Sequence, residues 1–512
     1  MIFIVPAWHR LLTDWATTTP MVSFDDATNH LQIMNHAGQS MGLLVTDYQP
    51  QLTSKLNRIA ENPQKVWSVF DYLQGIYDQN AHVLDYHDLP WPADSYFHYT
   101  PFRLWVMKDG QVYAQIIFDS QSKMLNIDVM KQQEIDHQFV VDSRGFISRE
   151  TFYHDGQAVK ELYFNRAGIW RLSHQLTDDS VTINSDEPKF CQNKHYDHLK
   201  DLIHEALCDH FLPQLSADDR LVASVDDDAT YSISDLANHP GTIYSISRWH
   251  PYRQTLKDLA QISHPQLVVD SEMTAGIVAN QMRLAKAPTV LPIFQSQFKL
   301  GHSARLTSQL VTVFSEGTSQ ADLQKILEIE YPRLIKKPSG ESLRIVMYSP
   351  AKEEEAQAAL DQLEDSHDGE FRLVRDSDQK NDDDIDDFGE NLARLIPKLD
   401  IKVQRLTSTS SILNLLDKTR LLINWGQPDD FLQFALISVG VPQLSQMGSP
   451  LLADHRNGII CHSINEIKSG LHYYLDNLKH WNQSLAYCVN YLNRYSEDQL
   501  LQRWQQLLEQ GK

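Results

Sequence analysis

Three kinds of hydrophobic pattern follow one another along the chain. Up to about residue 95, short apolar runs such as Ile2-Phe3-Ile4-Val5 and Gly42-Leu43-Leu44-Val45 read as buried strands, and Val66-Trp67-Ser68-Val69-Phe70-Asp71-Tyr72-Leu73 places apolar residues at helical spacing. After Pro90-Trp91-Pro92 strict alternation takes over, as in Val112-Tyr113-Ala114-Gln115-Ile116-Ile117-Phe118. Turn signals punctuate it at Asp142-Ser143-Arg144-Gly145, His154-Asp155-Gly156 and Asn165-Arg166-Ala167-Gly168. Evenly spaced turns between aromatic-rich strands predict an antiparallel meander over residues 96–185. Near Tyr196 the pattern changes again. Leu199, Leu202, Ile203, Ala206, Leu207 and His210 form a helical stripe, and Leu221–Val225, Thr242–Ile246 and Leu267–Asp270 are short buried strands, each followed by helix-like sequence. Strands alternating with helices predict a parallel, doubly wound sheet.

Lys336-Lys337-Pro338-Ser339-Gly340 has the composition of a linker, after which Leu343–Tyr348 opens a second α/β pattern. There Leu421–Asn424 is a strand, Phe431–Val439 a helix stopped by Gly440 and Pro442, and Gly458–Cys461 another strand. Ser463-x-x-Glu466 reads as a capping box opening a helix through Leu478, and Ser496-x-x-Gln499 opens the last helix. The expected organisation is α/β throughout: a first Rossmann-like domain at 1–95 and 186–335, an inserted β-sheet domain at 96–185, and a second Rossmann-like domain at 341–512. The final helix, Glu497 to Glu509, is expected to cross back to the first domain. The acidic stretch Asp382 to Asp387 is a solvated loop; it lacks the central glycine and closing glutamate of a calcium loop.

Composition narrows the function classes. A chain of 512 residues suits two or three cores. Its 45 basic and 67 acidic residues give a net charge of −22, a field that repels phosphate backbones, so no nucleic-acid partner is expected. Cys191, Cys208, Cys461 and Cys488 are far apart, which suits a reducing compartment. The apolar run at the start is too short for a signal segment and no stretch is long enough to span a bilayer. A cytoplasmic location is expected, with any contact at the inner face of the plasma membrane peripheral and made by a local patch such as Lys336-Lys337.

Familiar catalytic signatures are missing. There is no Gly-x-Gly, no phosphate-binding loop and no Gly-x-Ser-x-Gly elbow. His195, His198, His204 and His210 cluster with Asp197, Asp201 and Glu205, and His195 and His198 would share a helix face. No metal-site motif matches this spacing, so no metal and no cofactor is expected. Trp91, Trp105, Trp170, Trp425, Trp481 and Trp504 suit sugar stacking, but core packing explains each more simply.

From Leu421 to Leu478, the order strand, acidic turn, helix, Gly440-Val441-Pro442, then Asn457-Gly458-Ile459-Ile460 resembles the nucleotide-sugar domain of GT-B glycosyltransferases. In that family a Glu-x7-Glu motif lies here, its second glutamate contacting ribose five positions before the glycine. The matching positions are Gln427 and Ala435, and no glutamate occurs between Glu390 and Glu466. Losing a charged acceptor from a site built around it costs about 1–3 kcal/mol. Across the whole chain, Pro6-Ala7-Trp8, Ser23-Phe24-Asp25-Asp26, Val66–Asp71, Gly440-Val441-Pro442-Gln443, His455-Arg456-Asn457-Gly458 and Trp481–Leu485 resemble the family of first accessory secretory proteins of the accessory Sec system. That resemblance implies two Rossmann-like domains in a GT-B arrangement with a β-sheet insertion and no catalysis. It also implies a complex with the second and third accessory secretory proteins, an accessory SecA-type motor ATPase, and a glycosylated serine-rich repeat adhesin as cargo. The competing expectation is an active GT-B glycosyltransferase that modifies the adhesin; Gln427 and Ala435 weigh against it.

Overall fold

The computed structural model describes residues 1–9, 25–58, 61–78, 80–100, 103–119, 122–186, 188–248, 250–292, 301–374, 396–406, 409–494 and 497–510. The chain divides into two compact units. One comprises Asp25–Ile293 together with the N-terminal strand and Leu500–Lys512; the other is built on Phe294–Gln499. Ser23, Phe24, Ser496 and the acidic stretch Asp382 to Asp387 lie outside the described residues.

The first unit is built on a parallel sheet whose central strands are short and buried on both faces. These are β1 (Ile2–Val5), β2 (Met41–Val45), β3 (Lys65–Ser68), β14 (Arg220–Ser224), β15 (Thr242–Ile246), β16 (Gln266–Val269) and β17 (Thr289–Val290). Their order across the sheet is β17-β16-β15-β14-β1-β2-β3. Ile4 pairs with Leu43 on one side and Val222 on the other, so the sheet reverses its winding between β1 and β14. The run Val66–Leu73 is not one helix. Val66-Trp67-Ser68 belongs to β3, and Ser68 caps the helix Val69–Gln74 by accepting from the Asp71 backbone at 3.2 Å. Half-buried Val66 and Trp67 on an edge strand mimic helical spacing when the strand is only four residues long.

Ten antiparallel strands, from β4 (Tyr96–Tyr99) to β13 (His195–Tyr196), form a meander in chain order inside this unit. The sheet thus continues past residue 185. Polar ties hold it to the helix after β3. Buried Arg144 donates to Asp71 at 2.7 and 2.9 Å and to Asp142 at 2.8 Å, the Gln74 amide donates to the Ser148 carbonyl at 2.8 Å, and Arg171 Nε donates to the Leu73 carbonyl at 3.0 Å. In the last helix, Glu497–Gln510, Trp504 is fully buried edge-on to His30, with ring centroids 5.0 Å apart, and Arg503 donates to the Val290 carbonyl at 2.8 Å.

The second unit holds β18 (Gln309–Phe314), β19 (Glu341–Met347), β20 (Arg372–Leu373), β21 (Lys398–Arg405), β22 (Thr419–Asn424), β23 (Gln443–Ser445) and β24 (Gly458–Ile460). Their order is β20-β21-β19-β18-β22-β23-β24, all parallel. The residues expected to link two domains at 336–340 do not lie at the division. Helix Gln320–Lys336 runs into a tight turn, and β19 returns directly beside β18, from Gln309 opposite Glu341 to Phe314 opposite Val346. Lys-Lys-Pro-Ser-Gly therefore makes a helix-to-strand turn, in which Gly340 donates to the Lys337 carbonyl at 3.0 Å. The division falls earlier, after Ile293, so β18 and its helix belong to the second unit. The helix expected through Leu478 ends at Leu475, and a separate helix occupies Leu478–Arg494. No described helix is long and apolar enough to cross a membrane.

Candidate functional site

In a doubly wound sheet, ligand sites form outside the carboxyl ends of the strands where the winding reverses. In the first unit that place is filled by ionisable side chains. β1 continues into Pro6-Ala7-Trp8-His9, β2 into Asp47, β14 into Asp226, and the segment after β15 carries His250. Helix Asp26–His36 starts here with Asp25 as its cap, accepting from the Thr28 backbone at 3.2 Å. The Trp8 indole N–H also donates to Asp25 Oδ2, which ties the exit of β1 to the helix start.

His250 sits between two carboxylates. Its Nδ1 is 2.8 Å from Asp226 Oδ2 and its Nε2 is 3.3 Å from Asp26 Oδ1. Burial opposes charge on every member, but the contacts outweigh it: the hydrogen bond to Asp226 and the close carboxylates of Asp26 and Asp25 push His250 up to about 10, and His250 holds the Asp26 carboxyl at about 2. Asp26 Oδ1 also accepts from Ser224 Oγ at 2.9 Å. His30, by contrast, has its pKa lowered by burial and meets Ser245 Oγ at 3.0 Å. Burial pushes Asp47 up to about 6 although Thr230 donates to it at 3.0 Å, and burial pulls Lys55 down to about 8, with its ammonium 3.6 Å from the Trp8 ring centroid. Trp8, Asp25 and Asp26 enter the sequence argument only as marks of resemblance, and His30, Asp226 and His250 do not enter it. The signal that finds half of them is position: Trp8, Asp226 and His250 lie just beyond an apolar strand of a doubly wound pattern.

The second unit reverses its winding between β18 and β22, and there the chemistry is different. Gln427 is exposed in the loop after β22. Ala435 lies in helix Asp430–Val439 with no exposed surface, packed in an apolar cluster with Phe314, Leu422, Leu432 and Trp481. The two positions therefore do not share a surface. The loops themselves meet: Gly426 has φ +136°, and a Cβ there would stand 2.4 Å from the Gly317 carbonyl oxygen, so only glycine fits. The nearby carboxylates serve backbone. Glu316 accepts from the Tyr348 and Ser349 amides at 2.7 and 3.1 Å, and Asp429 caps the helix by accepting from Leu432 at 2.7 Å.

The histidine cluster forms on other terms than expected. His195 is in β13 and His198 precedes helix Leu199–Glu205, so they share no helix face. His195, Asp197, Asp201, His204, Glu205 and Asp209 line an open concavity of about 460 Å³, while His210 packs tilted against Tyr72 with centroids 4.6 Å apart. Trp425, Trp481 and Trp504 are buried in cores, and the half-buried Trp91 donates to the Tyr86 carbonyl at 2.6 Å.

Known proteins place this arrangement. The profile of the Accessory Sec system protein 1 family matches residues 5–511. The Accessory Sec system protein of this type from Staphylococcus aureus is 24% identical over 529 residues, covering 99% of both chains. Among solved structures, a chain of the Glycosylation Associate Protein (Gap123) complex from Streptococcus agalactiae superposes with a TM-score of 0.80 at 24% identity, covering 98% of this chain and 99% of its own. The structure of accessory secretory proteins 1, 2 and 3 of Streptococcus pneumoniae gives 0.78 at 21%, covering 100% and 99%. The fold is also that of glycosyltransferases: the pneumococcal O-GlcNAc transferase GtfA, in complex with UDP and GlcNAc, gives 0.58 at 9%, covering 100% and 98%. With the family profile spanning nearly the whole sequence, the chain belongs to the Accessory Sec system protein 1 family.

Proposed function

We propose that this protein is a non-catalytic component of the accessory Sec export machinery. It joins the second and third accessory secretory proteins and delivers a glycosylated serine-rich repeat adhesin to an accessory SecA-type motor. In this reading its two units adopt a GT-B arrangement, it works in the cytoplasm, and its membrane contact is peripheral. Family membership and the Streptococcus pneumoniae structure of proteins 1, 2 and 3 support the partner assignment.

The observation that carries the absence of catalysis is Ala435. A nucleotide-sugar enzyme must grip the donor and meet the charge growing on its leaving group with fixed dipoles and cations. Here the position matched to the ribose-binding glutamate is an alanine turned into an apolar core, and its companion Gln427 is neutral. The expected result is no sugar transfer to a serine-rich acceptor, and calorimetry with uridine-diphosphate sugars giving no affinity tighter than about 1 mM. A micromolar dissociation constant, or turnover abolished by a substitution in the crevice, would establish the active-enzyme alternative.

The β insertion supports a role in binding protein. Tyr96 and Tyr99 are 54% and 66% exposed on the terminal strand of the ten-stranded sheet, an edge with aromatic anchors of the kind enriched in interfaces. Size-exclusion chromatography of this chain co-expressed with the third accessory secretory protein should give one peak. Separate elution at micromolar concentration refutes the partnership.

A further inference from the structure

Beyond the carboxyl ends of the first unit's central strands lies a set of atoms that hydrogen bonding leaves incomplete. The contact of His250 Nδ1 with Asp226 Oδ2 places the proton on Nδ1 and leaves Nε2 on the side of Asp25 and Asp26. Nε2 makes no hydrogen bond, although Asp26 Oδ1 is 3.3 Å away. Asp25 Oδ1 and Asp26 Oδ2 are also buried without partners, in residues only 7% and 1% exposed. Ligand atoms of these three residues lie within 4.8 Å of one another.

Two carboxylates and an imidazole nitrogen facing one another require a positive charge among them, from a proton or from a cation. A proton on Nε2 pairs with one oxygen and leaves the others unsatisfied. A single cation can meet one ligand atom from each of the three residues, since these lie within 4.8 Å of one another. We propose that Asp25, Asp26 and His250 bind one divalent metal ion of borderline character, zinc or manganese, with Asp226 as the residue that orients His250. One imidazole nitrogen and two carboxylate oxygens are a donor set for such ions rather than for calcium, which takes oxygen ligands alone. A carboxylate behind the metal-bound imidazole is the usual way to fix its tautomer and direction. The neighbouring group His9, Asp226 and Asp228 is less open, because Asp226 Oδ1 already accepts from the Asp228 amide at 2.7 Å and Oδ2 holds His250. The ion would pin the cap of helix Asp26–His36 to the segment after β15, across the line where the sheet reverses its winding. Its role is a clamp between these two segments, separate from any sugar chemistry.

The test uses the full-length, tag-free protein, stripped with chelator and titrated calorimetrically with zinc chloride and manganese chloride. One equivalent should bind to the wild type with a dissociation constant below about 10 µM and raise Tm. Asp26→Asn and His250→Gln should each weaken binding about 100-fold or more, and Asp226→Asn about 10- to 100-fold. His204→Gln, in the open histidine-lined concavity, should change nothing. Cobalt substitution of the wild type gives a readout that needs no variant: visible d–d bands without thiolate charge transfer are expected, which separates this site from one using Cys208. No saturable binding to the stripped wild type, a thiolate band, or unchanged affinity in the folded Asp26→Asn and His250→Gln proteins overturns the proposal.

Discussion

The two parallel sheets of this protein share one plan and differ in what stands at its centre. Each has the doubly wound order in which strands spread outward from a central pair, β1 and β14 in the first unit and β18 and β22 in the second. At the first reversal, Asp25, Asp26, Asp47, Asp226 and His250 gather ionisable groups into a buried network. At the second, Gly317 and Gly426 bring two loops into backbone contact, and the carboxylates of Glu316 and Asp429 are occupied with backbone amides. Strand order persists because it depends on apolar burial, which both units retain; site chemistry depends on a few side chains that burial does not protect.

The sharpest way to break this comparison is to put charge into the second unit. Ala435→Glu buries a carboxylate among Phe314, Leu422, Leu432 and Trp481 with no partner, and should destabilise that unit by about 3 kcal/mol or more without creating nucleotide affinity. Denaturant unfolding measures it, and an unchanged midpoint would mean that the helix face turns outward. Of intermediate size is a pair of opposite pH signatures in chelator-stripped protein. The folded pKa of His250 is raised, so its contribution is complete below about 6.5 and fades as pH rises toward about 10; that of Asp26 is depressed, so its contribution is lost only as pH falls from about 4 toward 2. In the second unit Glu330 is buried and pushed up to about 8, so it penalises the fold increasingly between about 4.5 and 8. His250→Gln should therefore lower stability at pH 6 and flatten the decline above it. Glu330→Gln should raise stability at pH 8 by on the order of 2 kcal/mol and leave it unchanged at pH 4. If both variants shift stability in the same direction at pH 8, the contrast between the units fails. The smallest effect is at Gln427, exposed in its loop, where Gln427→Ala should move stability by less than about 0.5 kcal/mol.

Alternation and turn spacing made the antiparallel meander readable from its first strand, and apolar runs made most of the parallel strands readable. The misreadings came where one local signal serves two structures. Lys336-Lys337-Pro338-Ser339-Gly340 has the composition of a linker, but the same residues suit a helix-to-strand turn, and only the partnering of β18 with β19 distinguishes them. Val66-Trp67 carries helical spacing because a four-residue edge strand is too short to display its own period. Counting back from Gly440 identifies Gln427 and Ala435 as residues but does not reveal that Ala435 faces the core. The first-unit network was harder still. Asp26, Asp226 and His250 are spread over more than two hundred positions, and only the parallel pairing of β1, β14 and β15 brings their strand ends together.

The return of residues 500–512 to the first unit fixes an order of events during synthesis. The strands of the first sheet leave the ribosome long before Trp504, yet the edge contact of Trp504 with His30 and the bond from Arg503 to the Val290 carbonyl need residues made about two hundred positions after the last of them. The first unit therefore waits, incompletely covered, while the whole second unit is translated and free to fold. A premature stop before Leu500 would leave the second unit's strands intact and strip the first of its closing helix, so nascent chains should expose the apolar surface around His30 until the helix carrying Trp504 has been made.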